Sequence, residues 1–200
     1  MFNKHWSSDA EVTVLGYGIP PFELPDNFKF ISLGEQEKYG RDWTSALIPF
    51  FEQLPDEYFV LLLDDFYISN IDKSLLQKAE RYAADGVEKI HLTNFCGRTF
   101  KEEKDVNFNT WEQDANYRLS LQPSIVRRDY FLKYLKPGKT VWEYELQSAS
   151  MNDGAQILVS KKNIVFYSNF MTKGRISDST QTSKIKEEDL IAIKQLVRLG

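Results

Sequence analysis

Two adjacent carboxylates, Asp64 and Asp65, close an unbroken apolar run, Tyr58-Phe59-Val60-Leu61-Leu62-Leu63. Paired acids at a strand tip repel each other, and a hard divalent ion relieves that repulsion. Mg²⁺ is typically held by one or two carboxylates, with water and substrate phosphates completing its shell. The competing reading is local: one aspartate caps the next turn and the other is solvated. A second candidate lies in Thr140-Val141-Trp142-Glu143-Tyr144-Glu145. Thr140 and Glu143 have capping-box spacing, which commits Glu143 to the first amides of its own helix. Glu145 has no such local task. A carboxylate in the company of Trp142 and Tyr144 suits a general base, and a solvated surface glutamate is the alternative.

Lys173-Gly174-Arg175 sets two cations around a glycine in a polar stretch, an arrangement that clamps a phosphate or stays solvated. Arg127-Arg128 is open to the same two readings. Cys96 reads as buried filler, because neither His5 nor His91 lies beside it to make it a nucleophile. Two histidines so far apart do not suggest a zinc site.

The elements that must position these residues alternate between short β-branched runs and helical periods. Val12–Gly16 and Phe28–Leu33 read as strands stopped by glycines, with a proline-containing loop between them. Trp43, Ala46, Leu47, Phe50, Phe51 and Leu54 form a helical stripe that Pro49 is expected to kink. The continuous run ending at Leu63 reads as a strand covered on both faces. A helix is expected to follow, capped by Asp72 and closed by Gly86, and then a strand Lys89–Thr93. Such alternation predicts an α/β sheet, and ligands of open α/β sheets bind beyond the carboxyl ends of the strands, where Asp64 and Asp65 fall.

The second half has less period. Residues 95–117 show no regular pattern, 118–127 reads as extended with a bend at Pro123, and 128–135 as a short helix. Residues 156–169 read as a pair of short strands, 172–184 as a mobile polar loop, and 187–199 as a surface helix. The boundaries implied are a nucleotide-binding half over about 1–94, an acceptor half with its loop over about 95–185, and a C-terminal helix over 186–200.

The 200 residues have an apolar fraction of 42%, with 14 Phe, 10 Tyr and 4 Trp, enough material for one sizeable core. Global disorder is excluded. A net charge of −4 without a basic run argues against a protein that grips nucleic acid backbone. No apolar run approaches the roughly 20 residues of a membrane span. The lone cysteine and the absence of a signal-peptide pattern predict a cytoplasmic protein.

Taken in order, these pieces resemble a GT-A-fold glycosyltransferase, and in particular small bacterial and phage-borne sugar transferases. The likeness rests on Phe30-Ile31-Ser32-Leu33-Gly34-Glu35, Asp42-Trp43-Thr44, Leu61–Phe66, Leu119–Ile125, Trp142-Glu143-Tyr144-Glu145 and Lys173-Gly174, and spans about residues 2–175. It implies a Rossmann-like α/β fold, a single domain with a mixed, mostly parallel sheet flanked by helices. It implies Mn²⁺ or Mg²⁺ as cofactor, a nucleotide-sugar donor such as a UDP-sugar, and a carbohydrate or other hydroxyl acceptor. For a phage-encoded chain the location implied is the host cytoplasm.

By that resemblance Leu63-Asp64-Asp65 stands where the family's metal motif does, without its first acid. Asp65 is then the metal ligand, and Asp64 faces the ribose or donor sugar. Glu145 is the expected acceptor base, with Glu143 beside it. Gln122, Lys173, Arg41 and Trp142 are the expected substrate-binding residues. Two departures stand out. The first strand of such folds has no counterpart, since Met1–Trp6 reads as the end of the helix that follows it. No histidine follows His91 to serve as the late metal ligand many members have. Two rival readings are a non-catalytic nucleotide-sugar or glycan-binding module and a nucleotidyltransferase. The latter also uses carboxylates and metal at strand ends, but no Gly-rich basic phosphate signature lies near the first strand.

Overall fold

A computed structural model describes residues 2–94, 100–169, 171–172, 175–176 and 187. The chain runs α1 (Phe2–His5), β1 (Val12–Gly16), β2 (Phe28–Ser32), α2 (Gln36–Tyr39), α3 (Thr44–Gln53), β3 (Tyr58–Leu61), β4 (Phe66–Ile71) and α4 (Lys73–Ala84). It continues with β5 (Lys89–His91), β6 (Phe100–Glu103), β7 (Phe108–Trp111), β8 (Ser124–Arg127), α5 (Arg128–Tyr134), α6 (Val141–Glu145), β9 (Ile157–Ser160) and β10 (Val165–Asn169). Two compact units result, one from residues 1–36, 64–71 and 166–200, the other from 37–63 and 72–165.

In the first unit β1 and β2 pair in parallel, with Val14 opposite Phe30. The Phe2 ring on α1 stacks on Trp6 at 5.3 Å and meets Phe28 edge-on at 5.6 Å. Asn3 and Asn27 bond each other through both amides, at 2.7 and 3.0 Å, and Asn27 also donates to the Ala10 carbonyl. Strands β4 and β10 form a separate pair, with Phe66 against Tyr167.

The second unit holds a six-stranded sheet in the order β3-β8-β5-β9-β7-β6. The α/β class and the mixed sheet are those expected, but the parallel share is smaller. Within this sheet only β5–β9 is parallel, and β3–β8, β5–β8, β7–β9 and β6–β7 are antiparallel. Strand β8, which enters from Pro123 and runs back between β3 and β5, makes two of these antiparallel pairs, and β7, between β9 and β6, makes the other two.

Strand β3 is not covered on both faces. It lies at the sheet edge, with Phe59 packed on Phe51 and Phe131 while Val60 points outward, 38% exposed. It is also followed by β4 rather than directly by a helix. Residues 100–111 are the β6–β7 hairpin, whose turn is tied by Asp105 accepting from the amides of Asn107 and Phe108. The two strands expected within 156–169 exist, but β9 enters the large sheet and β10 pairs with β4. Helix α3 continues through Pro49.

Local signals hold where they were read. Asp72 caps α4 by accepting from the Leu75 amide at 3.0 Å, and Gly86 ends it at φ 95°, where a Cβ would be strained. The loop at 172–184 and the helix at 187–199 fall almost wholly outside the described residues, as do Cys96 and Lys173. Among the described residues no helix is long and apolar enough to cross a membrane.

The unit is tied across its elements by Arg118, which is fully buried. Its guanidinium donates to the carbonyls of Ser150 (2.6 Å), Glu112 and Ala155 (2.9 Å each), and to Asp153 Oδ1 at 2.8 Å. Tyr134 donates to the other Asp153 oxygen at 2.6 Å. Arg118→Met would strand three carbonyls and a carboxylate. It is expected to cost about 3–5 kcal/mol, as for a buried pair broken from one side, and urea unfolding measures it.

Candidate functional site

The Asp64–Asp65 turn joins β3 to β4. Asp64 is exposed. Asp65 is half-buried, with its Oδ1 closed off from solvent and without a hydrogen-bond partner. Its carboxyl is pushed up from its ordinary range, first by burial and then by the charge of Asp64. A buried acceptor left open costs free energy unless a donor or cation fills it. The alternative reading, a cap on the next turn, has no side-chain hydrogen bond behind it at Oδ1. Among the described residues no group of three or more histidine, cysteine, aspartate or glutamate side chains is arranged to hold a metal ion. A cation at this turn would therefore take Asp65, with Asp64 beside it, and draw its remaining oxygens from water and ligand. Two carboxylate oxygen donors are of the hard type that divalent cations such as Mg²⁺ accept.

On α6 the two glutamates separate cleanly. Thr140 donates its main-chain N–H to Glu143 Oε2 at 2.8 Å, and the Glu143 amide donates to Thr140 Oγ1 at 3.3 Å, a complete capping box. That bond from Thr140 holds the exposed Glu143 carboxyl below its ordinary value, with Lys139 and Arg41 adding to the effect. Arg41 itself is exposed and lies on the approach to α3. Glu145 points the other way. Its Oε1 accepts the Leu121 amide at 2.7 Å, which fixes one edge of a half-buried carboxylate. Tyr144, buried against Trp43 and Phe131, anchors the helix between them. Trp142 projects outward, 64% exposed, and with Leu146, Lys139, Glu143, Gln147 and Ser148 lines an open depression.

Gln122 follows the turn that Glu145 holds. It is half-buried, and its carbonyl accepts from Ser124 Oγ at 2.6 Å. The second unit thus brings Glu145 to the Leu121–Gln122 segment, and Arg41 to the neighbourhood of Glu143. Asp64 and Asp65 belong to the first unit, and Lys173 lies outside the described residues.

One participant escaped the sequence. Lys89, on β5, is 3% exposed and donates from Nζ to the carbonyls of Ser120 and, at 3.4 Å, Arg118. Burial pulls its pKa down to about 7, against the pull of Glu145 and with the push of Arg118. His91, two residues on and therefore on the same face of the strand, lies with Nδ1 3.3 Å from Ser124 Oγ. Burial and Lys89 hold its pKa well below the ordinary histidine value. The available signal was the alternation of Lys89 and His91 around Ile90, with a polar side set toward one face.

No protein-family model matches the chain, and no curated protein matches it. Among solved structures, apo UDP-glucose pyrophosphorylase aligns with a TM-score of 0.43 and 14% sequence identity, over 71% of this chain and 58% of that one. The aligned region thus spans little more than half the length of that structure.

Proposed function

We propose that this chain is a metal-dependent glycosyltransferase that moves a sugar from a nucleoside-diphosphate sugar, such as a UDP-sugar, to a hydroxyl acceptor with inversion. The observation that carries the reading is Asp65 Oδ1, a buried carboxylate oxygen without a hydrogen-bond partner in the turn ahead of β4. Asp65 and Asp64 would hold Mn²⁺ or Mg²⁺, which supplies positive charge beside the diphosphate as it leaves. Glu145 receives the acceptor proton on Oε2 while Leu121 steadies Oε1. The acceptor oxygen bonds to the anomeric carbon as the bond from that carbon to the diphosphate breaks. A base held at one edge is oriented for this step, since proton transfer demands hydrogen-bond reach. The exposed face of Trp142 offers a flat apolar surface for a sugar ring, flanked by the hydrogen-bonding groups of Glu143 and Ser148. Gln122 is assigned to the sugar-binding side and Arg41 to the phosphate; Lys173, assigned to the phosphate by the resemblance, lies outside the described residues.

A second reading, a glycan- or nucleotide-sugar-binding module without turnover, is favoured by one observation. The Glu145 carboxylate is already engaged with a main-chain amide. Release of nucleotide from nucleotide sugars in the presence of an acceptor separates the two.

Two outcomes test the assignment. Asp65→Asn removes a carboxyl that burial already disfavours, so the fold should persist. Stabilisation by UDP with Mn²⁺, read as a thermal shift, should disappear, and a shift equal to the parent's would remove the turn from the site. The glutamates should divide as their bonds do. Glu145→Gln still accepts from Leu121 but takes no proton, so transfer should fall by roughly 10²-fold or more with donor binding nearly unchanged. Glu143→Gln keeps the capping geometry and should keep most activity. Reversal of that order in a steady-state assay would move the base to Glu143.

A further inference from the structure

The turn ahead of Gln122 is gripped from two sides. It begins at Tyr117, which sits at φ 60°, a left-handed conformation that a bulky residue adopts only under constraint. The Ser120 amide donates back to the Tyr117 carbonyl at 3.0 Å. From β5, Lys89 Nζ reaches the carbonyls of Arg118 and Ser120, and from α6 the Glu145 carboxylate takes the amide of Leu121. Nothing in the local sequence of the turn supplies these bonds. They come from two elements remote in the chain.

We propose that Lys89 is a positioning residue for the candidate site, a buried amine that, opposite Glu145, seats the Tyr117–Leu121 turn and so sets the placement of Gln122 and of the Glu145 carboxylate. The stoichiometry supports this. A neutral amine has two N–H donors, and Nζ has two carbonyl acceptors. The charged groups facing it are Glu145 from α6 and Arg118 from the turn, and its neighbour on β5 is His91, whose pKa burial and Lys89 hold well below the ordinary value. Arg118 spends its guanidinium on Glu112, Ser150, Asp153 and Ala155, so its charge does not serve the turn directly.

The seat is pH-sensitive in a definite direction. With the turn in place the nitrogen has a pKa of about 7, against 10.5 for a solvated lysine. Lifting the turn rehydrates the nitrogen and restores its proton affinity. The seated form is therefore favoured most at high pH, and its advantage is lost as pH falls from the solvated value toward about 7. Acid loosens the turn, and base seats it.

Hydrogen–deuterium exchange of the full chain, read on the peptide covering Tyr117–Pro123 and corrected for intrinsic rate, tests this directly. Protection at about pH 8.5 should exceed that at about pH 6.5 by roughly tenfold or more, with β9 peptides unchanged. Lys89→Met keeps the volume but removes both donors and the titrating group. Its turn should exchange fast at both pH values, and transfer should lose roughly tenfold in kcat with donor KM little changed, the mark of a misplaced reacting group. Equal protection of the parent at both pH values overturns the proposal, as does parental protection in Lys89→Met. Should that variant fail to fold, the parent's pH comparison decides alone. The consequence for kcat rests on the transferase reading. A parent that transfers no sugar yet shows pH-dependent exchange would sink that reading and leave Lys89 in its role.

Discussion

A guanidinium removed from solvent has to be answered by oxygen atoms on every side, and Arg118 imposes that demand on its whole unit. Its four acceptors come from the end of β7, the segment after α6 and the approach to β9. These stretches share no sheet ladder at those positions. They converge because each places an oxygen where a donor needs one. A buried ion satisfied in this way is costly to assemble and more costly to break, which makes it a device for specifying one arrangement rather than a simple source of stability. The Tyr117–Leu121 turn inherits its position from this fixed point at one end. Pro123 and β8 fix it at the other.

Burial acts on three ionisable groups here with three outcomes. Arg118 is surrounded by three carbonyls and the Asp153 carboxylate. Lys89 has carbonyls and a distant carboxylate in place of a close anion, so its affinity for a proton drops. Asp65 lacks a partner at Oδ1 and has a second carboxylate beside it, so its affinity for a proton rises. The same desolvation lies behind both shifts, with opposite sign for base and acid. Asp65 differs from the other two in that one of its carboxylate oxygens, Oδ1, is buried without a hydrogen-bond partner among the described residues. That asymmetry is the reason for reading a ligand-dependent cation at the aspartate turn and a self-contained support at the lysine.

The sequence made legible what depends on near neighbours. The cap at Asp72, the close at Gly86 and the box between Thr140 and Glu143 involve residues a turn apart, so spacing alone reveals them. Strand β3 was legible as a strand but not as an edge, because both of its faces are apolar and only packing turns Phe59 inward and Val60 out. The direction of β8 was hidden for a similar reason: pairing partners are chosen across the chain. Arg118 and Lys89 were the hardest to see. Charged residues are ordinarily exposed, and only the remote carbonyls that receive them reveal that these are buried. Of the candidate site, the carboxylates could be named by type and position. The amide that orients Glu145 and the amine beneath its turn required the fold.

The division between Glu143 and Glu145 shows how a five-residue helix can serve two ends at once. Successive residues are rotated by about 100°, so positions two apart face nearly opposite sides. Tyr144, between them, goes into the core against Trp43 and Phe131 and fixes the rotation of the whole segment. With that rotation set, Glu143 remains at the exposed start of the helix, where its charge favours the free amides. Glu145 is delivered to the turn before Gln122. Neither assignment could be exchanged without turning the helix and exposing the tyrosine, so the aromatic contact in the core is what separates a carboxylate that caps its own helix from one that holds the Leu121 amide.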